Sequence, residues 1–192
     1  MTETMSTFFA MLGLGCWAAV VVVAAAAVIG RLRPGGVAAR LVDGVRGAAL
    51  WLAWLVSLVT TLGSLYYSDV AHYVPCELCW YQRICIYPFS VILLVAAVRR
   101  DRTVWRYVLP VSVIGMVIAA YHTQLQAYPD QRSFCSVLNP CTIRYVWEFG
   151  FVSLPFLALA ALSFVALMML LVRATPSPAV APAATSESGV EP

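Results

Sequence analysis

The chain has 192 residues, of which 62% are hydrophobic and 11% are charged. A soluble domain carries about 25% charged residues, so this deficit excludes an ordinary soluble domain and indicates a protein that lies largely in lipid. The formal net charge is only +3, and the basic residues, all arginines, form no patch with interleaved polar residues, so nucleic acid is not an expected partner.

Five apolar stretches are each long enough to cross the hydrocarbon core, which takes a helix of about 20 residues. Only helices are expected to span it, because lipid cannot satisfy backbone hydrogen bonds. In chain order the stretches are approximately Thr7–Gly30, Gly47–Ser68, Trp80–Val98 (interrupted by the charge of Arg83), Tyr107–Pro129 and Phe149–Val172. We therefore predict an all-α integral membrane protein.

The first stretch is interpreted as a true span and not as a signal peptide. A signal peptide begins with positive residues, whereas the only charge before Phe8 is that of Glu3. Residues 1–46 are then an extra N-terminal transmembrane helix with an Arg-rich cytoplasmic linker, and residues 47–173 are a four-helix membrane core. The tail, residues 174–192, is rich in Pro, Ala and Ser and is predicted to be disordered.

Arginine positions predict the orientation of the spans. Four arginines lie between the first and second spans and four between the third and fourth, and short Arg-rich loops stay cytoplasmic. The N-terminus is then outside, the C-terminus is cytoplasmic, and the connections around residues 68–79 and 130–148 face outward. The eight residues are Arg31, Arg33, Arg40, Arg46, Arg99, Arg100, Arg102 and Arg106.

Four of the six cysteines fall in the two outward connections, where disulfides persist. Cys76 and Cys79 form a C-x-x-C, whose small ring contributes little as a structural staple. The same spacing at a helix start lowers a thiol pKa and gives a redox-active dithiol. For Cys135 and Cys141 a structural and a redox-active disulfide are both open.

Two further interpretations concern the cysteines. A zinc site built from the four outer cysteines is an alternative, although an oxidising compartment favours disulfides. Cys16 and Cys85 lie inside apolar spans and are expected to be free, buried cysteines that pack as small hydrophobes.

Two polar residues inside the spans are candidate ligand contacts. Arg83 lies about one turn below the outer surface and shares a helix face with Cys79, four residues earlier. Its guanidinium can snorkel to the interface, stabilise a Cys79 thiolate, or donate to a carbonyl oxygen of a bound ligand. His122, about two turns deep in the fourth span, either bonds a neighbouring helix or donates to a ligand near Arg83; the spacing does not decide.

Several motifs resemble the disulfide-bond-formation protein B family (DsbB, with Gram-positive relatives called BdbC). The resemblance covers roughly Ala48 to Val172, and the short C-x5-C is more similar to the Gram-positive branch. The matching segments are CELCWYQRI from Cys76, YHTQLQAYP from Tyr121, NPCT from Asn139 and EFGFVSLPF from Glu148.

The resemblance implies a four-helix transmembrane bundle, here with one extra N-terminal helix. It implies an enzyme, a protein-thiol:quinone oxidoreductase that reoxidises an extracytoplasmic thioredoxin-fold thiol oxidase of the DsbA or BdbD type. The disulfide of Cys135 and Cys141 would accept the electrons, with Cys135 as the attacked sulfur. The electrons would pass to Cys76 and Cys79.

The same resemblance implies that Cys79 reduces a quinone, and no residue is assigned as a metal ligand. Arg83 and His122 match residues placed near the quinone ring. Menaquinone is expected by analogy with the Gram-positive branch, with ubiquinone as the alternative.

Two alternative functions remain. A vitamin K epoxide reductase-like enzyme also has a C-x-x-C and a loop pair, but there the loop pair comes first, whereas here it follows. A non-catalytic membrane protein held by two structural disulfides is the other. The extra span Thr7–Gly30 and Cys85 have no counterpart in the family core.

Overall fold

The computed structural model describes residues 2–131, 135–136 and 139–174, and these residues form helices and connections without a strand. The helices are α1 (Thr2–Leu32), α2 (Val37–Leu65), α3 (Glu77–Ile86), α4 (Phe89–Arg99), α5 (Trp105–Ala127) and α6 (Leu154–Arg173). A single π-helical turn, Tyr66–Val70, extends α2.

Within the described part of the chain, five helical segments are long and apolar enough to cross a membrane, with α3 and α4 counted together as one segment. Their outward faces carry large apolar side chains; Val91 and Val117, for example, are each 65% exposed. A soluble monomer rarely exposes apolar surface on this scale. The predicted all-α architecture with five spans is confirmed.

The segment predicted as a cytoplasmic linker is mostly helical. Only Arg33–Gly36 separates α1 from α2, so Arg40 and Arg46 lie inside α2. Gly35 has φ +87°, a conformation that favours glycine, and it closes this tight turn. The predicted disordered tail lies outside the described residues from Thr175 onward.

Proline sets two helix boundaries that apolarity alone does not locate. The third span is continuous through Arg83 but changes from α3 to α4 around Pro88, which lacks the backbone donor that a helix interior needs. The last span begins at Leu154, five residues later than predicted, with Pro155 in its first turn. The apolar residues before it form a turn closed by hydrogen bonds between Glu148 and Val152.

Helix α6 is the most deeply buried span, packing against α1, α2 and α5. One end of the bundle, called the cysteine end, comprises the start of α1, the end of α2, the start of α3, the end of α5 and the start of α6. There Tyr67 donates to Ser6, and Tyr73 stacks on Tyr145. At the opposite end Arg173 lies over the ring of Trp105.

Candidate functional site

The C-x-x-C motif opens helix α3. Cys76 is the N-cap residue, with extended backbone angles, and Cys79 lies in the first turn. Their sulfurs are 3.0 Å apart, and the amide of Trp80 donates to the Cys76 carbonyl at 3.1 Å. The predicted position of this motif at a helix N-terminus is confirmed, and the helix dipole there favours a thiolate.

Cys135 and Cys141 form a disulfide beside this motif. Cys141 is 1% exposed and packs in one cluster with Cys76, whereas Cys135 is half-buried. Because this pair is bonded, the four cysteines do not form a single thiolate zinc site. The disulfide therefore joins one half-buried cysteine to one buried cysteine that packs against the second pair.

The connection that carries Cys141 is fastened to the helix ends by specific contacts. Asn139 donates its side-chain amide to the Pro75 carbonyl at 3.1 Å. The Gln126 side chain donates to the Ile143 carbonyl at 2.8 Å. Arg144 donates to the Gln126 carbonyl and covers the Trp147 ring, 4.0 Å from its centroid. These contacts hold the Cys141 backbone against α3 and α5.

His122 lies between the two cysteine pairs. Its Nε2 is 3.0 Å from the Cys141 carbonyl and 3.7 Å from the Cys76 sulfur. The side-chain amide nitrogen of Gln82 lies 3.0 Å from Nδ1 and donates a hydrogen bond to it. Nδ1 is therefore the unprotonated ring nitrogen, and Nε2 carries the proton and donates to the Cys141 carbonyl. The spacing left two alternatives open for His122, a bond to a neighbouring helix or a ligand contact near Arg83, and the family resemblance placed it near a quinone ring. In the structure His122 is 1% exposed, bonds Gln82 of α3 and lies beside the Cys76 sulfur.

The pKa of Cys76 is held well below its ordinary value of 9.0. The hydrogen bond from the Cys79 thiol is the largest cause, and His122 lowers the pKa further, while burial opposes both. The favoured reduced state of the pair therefore carries one negative charge. The thiolate that carries it accepts hydrogen bonds from the other thiol and from His122.

Within the described residues, Cys76, Cys79 and His122 also form a group of three potential metal ligands, whose donor atoms lie within 4.8 Å of one another. A metal would need the lone pair of Nε2. The hydrogen bond from Gln82 places a proton on that nitrogen, which suits donation to a sulfur or a carbonyl better than metal binding.

A cavity of about 330 Å³ begins on the other side of Cys79. This volume is within the range of small-ligand pockets. Most of its polar lining residues lie toward the cysteine end: Ser64, Tyr67, Gln82 and Arg83. Thr60 lies one turn before Ser64 on α2, and the remaining lining is mostly apolar. His122 is not among the lining residues.

Arg83 is held at the edge of this cavity by α2. Its Nε donates to the Ser64 hydroxyl at 3.0 Å, and its Nη2 donates to the Ser64 carbonyl and to Ser68. Trp80 and Tyr87 lie 5.4 and 5.9 Å from the guanidinium carbon. These contacts hold the guanidinium along the cavity wall, at the end of α2 that belongs to the cysteine end.

Sequence reasoning missed Gln82, Ser64 and the cavity residues of α1. Gln82 was detectable as an amide inside an apolar span, next to Arg83. Ser64 had no such signal, because serine is common in membrane helices. Cys16 and Cys85 are both free, as expected, and Cys85 is buried. Cys16 was also expected to be buried, but it is half-buried and lines the cavity.

The model of the family described as disulfide bond formation protein DsbB matches residues 46–174. Disulfide bond formation protein C of Bacillus subtilis is 41% identical over 126 residues, covering 65% of this chain and 91% of the relative. A probable disulfide formation protein of Coxiella burnetii is 43% identical over 120 residues, covering 61% and 82%.

A third relative extends the match slightly. A probable disulfide formation protein of Metapseudomonas resinovorans is 41% identical over 139 residues, covering 71% of this chain and 96% of the relative. No solved structure matches the chain significantly.

Proposed function

The chain belongs to the disulfide bond formation protein DsbB family, and from that premise we propose that it carries electrons from a secreted thiol partner to a quinone. It is a multi-pass membrane disulfide oxidoreductase. The observation that carries the proposal is the position of Cys79, which touches Cys76 on one side and the cavity beside Arg83 on the other.

The cysteine end is proposed to face the extracytoplasmic side of the cell membrane. Eight of the twelve arginines lie in segments 31–46 and 99–106. These segments include the turn between α1 and α2 and the connection between α4 and α5, at the opposite end of the bundle. Short Arg-rich loops remain cytoplasmic. The N-terminus is then outside, and the disulfide lies where oxidised thiols persist.

The difference in burial within the loop disulfide supports an order of exchange. A thiolate of a thioredoxin-fold partner, of the DsbA or BdbD type, attacks Cys135; the bond to Cys141 breaks and Cys141 leaves as a thiolate. Cys141 packs against Cys76. When the Cys76–Cys79 pair is oxidised, the Cys141 thiolate attacks the Cys76 sulfur and releases Cys79 as a thiolate. The partner's second thiol then displaces Cys135.

The freed Cys135 closes the cycle by attacking Cys141, which re-forms the loop disulfide and releases Cys76. The partner has lost two electrons and two protons, and the Cys76–Cys79 pair has gained them. A bound quinone supplies the final oxidant, accepting two electrons and two protons to become the quinol.

The residues of the cavity fit such a ligand. A quinone has two carbonyl oxygens on an apolar ring, and Arg83 supplies a cationic donor at the polar end of a mostly apolar chamber. Low polarity around the guanidinium strengthens its hydrogen bond to a carbonyl oxygen. Menaquinone remains the preferred candidate, by analogy with the Gram-positive branch that the short C-x5-C resembles.

The test is quinone reduction by the purified protein in detergent, with a reduced thioredoxin-fold partner as electron donor. Turnover supports the proposal. A protein that reduces no quinone and keeps both cysteine pairs oxidised would instead be the non-catalytic membrane protein. Reduction of vitamin K epoxide in place of partner oxidation would indicate the vitamin K epoxide reductase-like alternative.

Replacing Arg83 with glutamine should weaken quinone use. Loss of a charged hydrogen bond costs about 1.5–3 kcal/mol, so KM for the quinone should rise about tenfold or more. Mixed-disulfide formation with the partner should be unchanged, because Arg83 does not touch the loop pair. Equal quinone dependence of the variant and the wild type would contradict a quinone role for Arg83.

The lowered pKa of Cys76 predicts how the reduction potential of its pair depends on pH. A thiol whose pKa lies below neutral stays a thiolate, so reduction takes up one proton for two electrons. The reduction potential should then fall by about 30 mV per pH unit near neutrality. If both thiols of the reduced pair were protonated, the slope would instead be about 59 mV per pH unit. It is measured in quinone-free protein in which serines replace Cys135 and Cys141.

His122 provides the matched test of this slope. His122→Phe removes a hydrogen bond that lowers the Cys76 pKa, so the change of slope should move to higher pH. Replacing the exposed neighbour Gln124 with alanine should leave the profile in place. An unchanged profile in His122→Phe would show that His122 does not act on the thiolate.

A further inference from the structure

We propose that α1, the helix that precedes the family-matched residues 46–174, forms a wall of the quinone cavity and one side of its entrance from the membrane. This inference rests on the proposed quinone function. It assigns a role in quinone binding to α1, which lies outside the residues that match the family.

Four residues of α1 line the cavity: Phe9, Leu12, Gly13 and Cys16. They span about two helical turns on one face of α1, at spacings of three to four residues. Helices α2, α3 and α6 supply the other walls, so the same chamber is bounded by Cys79 and Arg83 from α3 and by α1 opposite them.

Helix α1 is held in place by close contacts and not merely by its tether. Gly13 has no side chain where Leu157 of α6 approaches, and a Cβ at Gly63 would lie 2.9 Å from the Phe9 ring. Ser6 accepts from the buried Tyr67 hydroxyl at 3.3 Å. Small residues at a helix interface permit this kind of approach in membranes. The wall therefore has a defined position.

The exposed lining residues locate the entrance. Leu12 on α1 is 44% exposed, and Leu55 and Val59 on α2 are 50% and 36% exposed. The lining residues Ala160 and Ala161 on α6 are 1% and 4% exposed. The cavity is closed toward α6 and opens toward lipid along the seam between α1 and α2.

The polarity of the chamber orients the occupant. Ser64, Tyr67 and Arg83 mark its polar end beside Cys79, while the seam is lined by leucine and valine. An isoprenoid quinone has the same division, with carbonyl oxygens on the ring and a hydrocarbon tail. Its ring lies toward Cys79, and its tail leaves between α1 and α2.

A pair of tryptophan variants tests the entrance. Leu12→Trp narrows the seam, whereas Met11→Trp, at a 60% exposed position outside the lining, adds the same bulk on the lipid face. Each is assayed with menadione, which has no tail, and with menaquinone bearing an isoprenoid tail. Overpacking predicts a KM about tenfold higher for the tailed quinone in Leu12→Trp alone.

A second pair tests the wall. Cys16→Phe fills the chamber and should raise KM about tenfold for both quinones. Gly15→Phe, next to it, points into open space and should leave both values unchanged. Mixed-disulfide formation with the partner, which uses the opposite side of the thiol pair, reports that each variant is folded.

The outcomes separate this inference from the function on which it rests. If the wild type reduces no quinone, the proposed function fails. If the wild type reduces both quinones while Leu12→Trp and Cys16→Phe keep wild-type KM values, α1 is not part of the site and the proposed function stands. Equal effects of Leu12→Trp and Met11→Trp on KM for the tailed quinone would contradict an entrance between α1 and α2.

Discussion

Replacing Cys79 with serine is expected to abolish quinone reduction. The Cys79 sulfur contacts that of Cys76, and Cys79 also lines the cavity. A serine hydroxyl at this position cannot form the Cys76–Cys79 disulfide that the cycle needs. Turnover should fall by about three orders of magnitude or more, to the uncatalysed background. The measurement is quinol formation with the reduced thioredoxin-fold partner.

Partner binding separates a lost redox step from a lost fold in this variant. Cys79→Ser keeps the loop disulfide, so it should still form a mixed disulfide through Cys135. Cys85→Ala is the matched control, because Cys85 lies on the same helix but is not a lining residue of the cavity. It should keep most of the turnover. Quinone reduction at the wild-type rate in Cys79→Ser would refute the route through this sulfur.

The two sulfurs of the loop disulfide are expected to behave differently toward the partner. Cys141→Ser leaves Cys135 as a half-buried lone thiol, which should form a stable mixed disulfide with the oxidised partner. Cys135→Ser leaves Cys141, 1% exposed, which should form almost none. Both variants should lose turnover by about three orders of magnitude or more, because neither can re-form the loop disulfide.

Non-reducing electrophoresis and mass spectrometry of the trapped species measure this difference. Equal trapping by both variants would contradict the order of exchange, since it would show that a partner reaches Cys141 directly. Trapping by Cys135→Ser alone would reverse the order and make Cys141 the attacked sulfur.

The sequence predicted the spans well because lipid imposes one strong requirement, a long uncharged segment. It placed helix boundaries less well where apolar residues continue past a helix. Phe149–Phe151 are apolar enough for a span, but they lie in a turn that ends at Ser153, the N-cap of α6. In α2 the helix extends beyond the apolar stretch: Arg40 and Arg46 are charged but still lie within the helix.

The parts of the candidate site that depend on local cysteine spacing were predictable from the sequence. The parts that depend on how the helices pack were less predictable. The C-x-x-C at a helix start follows from local spacing. The side that His122 faces depends on the rotation of α5 against α3, which no local pattern encodes, and the structure directs it to Cys76 and Cys141. Residues of α1 enter the cavity only through tertiary packing, so their part in it had no sequence signal.

The contact between Gly13 and Leu157 has a consequence for how a fifth helix is retained at all. In water, covering the buried helix α6 would be rewarded simply by removing apolar surface from solvent. In a bilayer, acyl chains would cover the same surface equally well, so the hydrophobic effect does not favour α1 over lipid. The added helix is therefore held by its fit against α6 and by the hydrogen bond from Tyr67 to Ser6, and neither contact depends on excluding water. A methyl group at Gly13 would meet the end of the Leu157 side chain, so the competition between protein and lipid for that face would depend on how easily Leu157 moves aside.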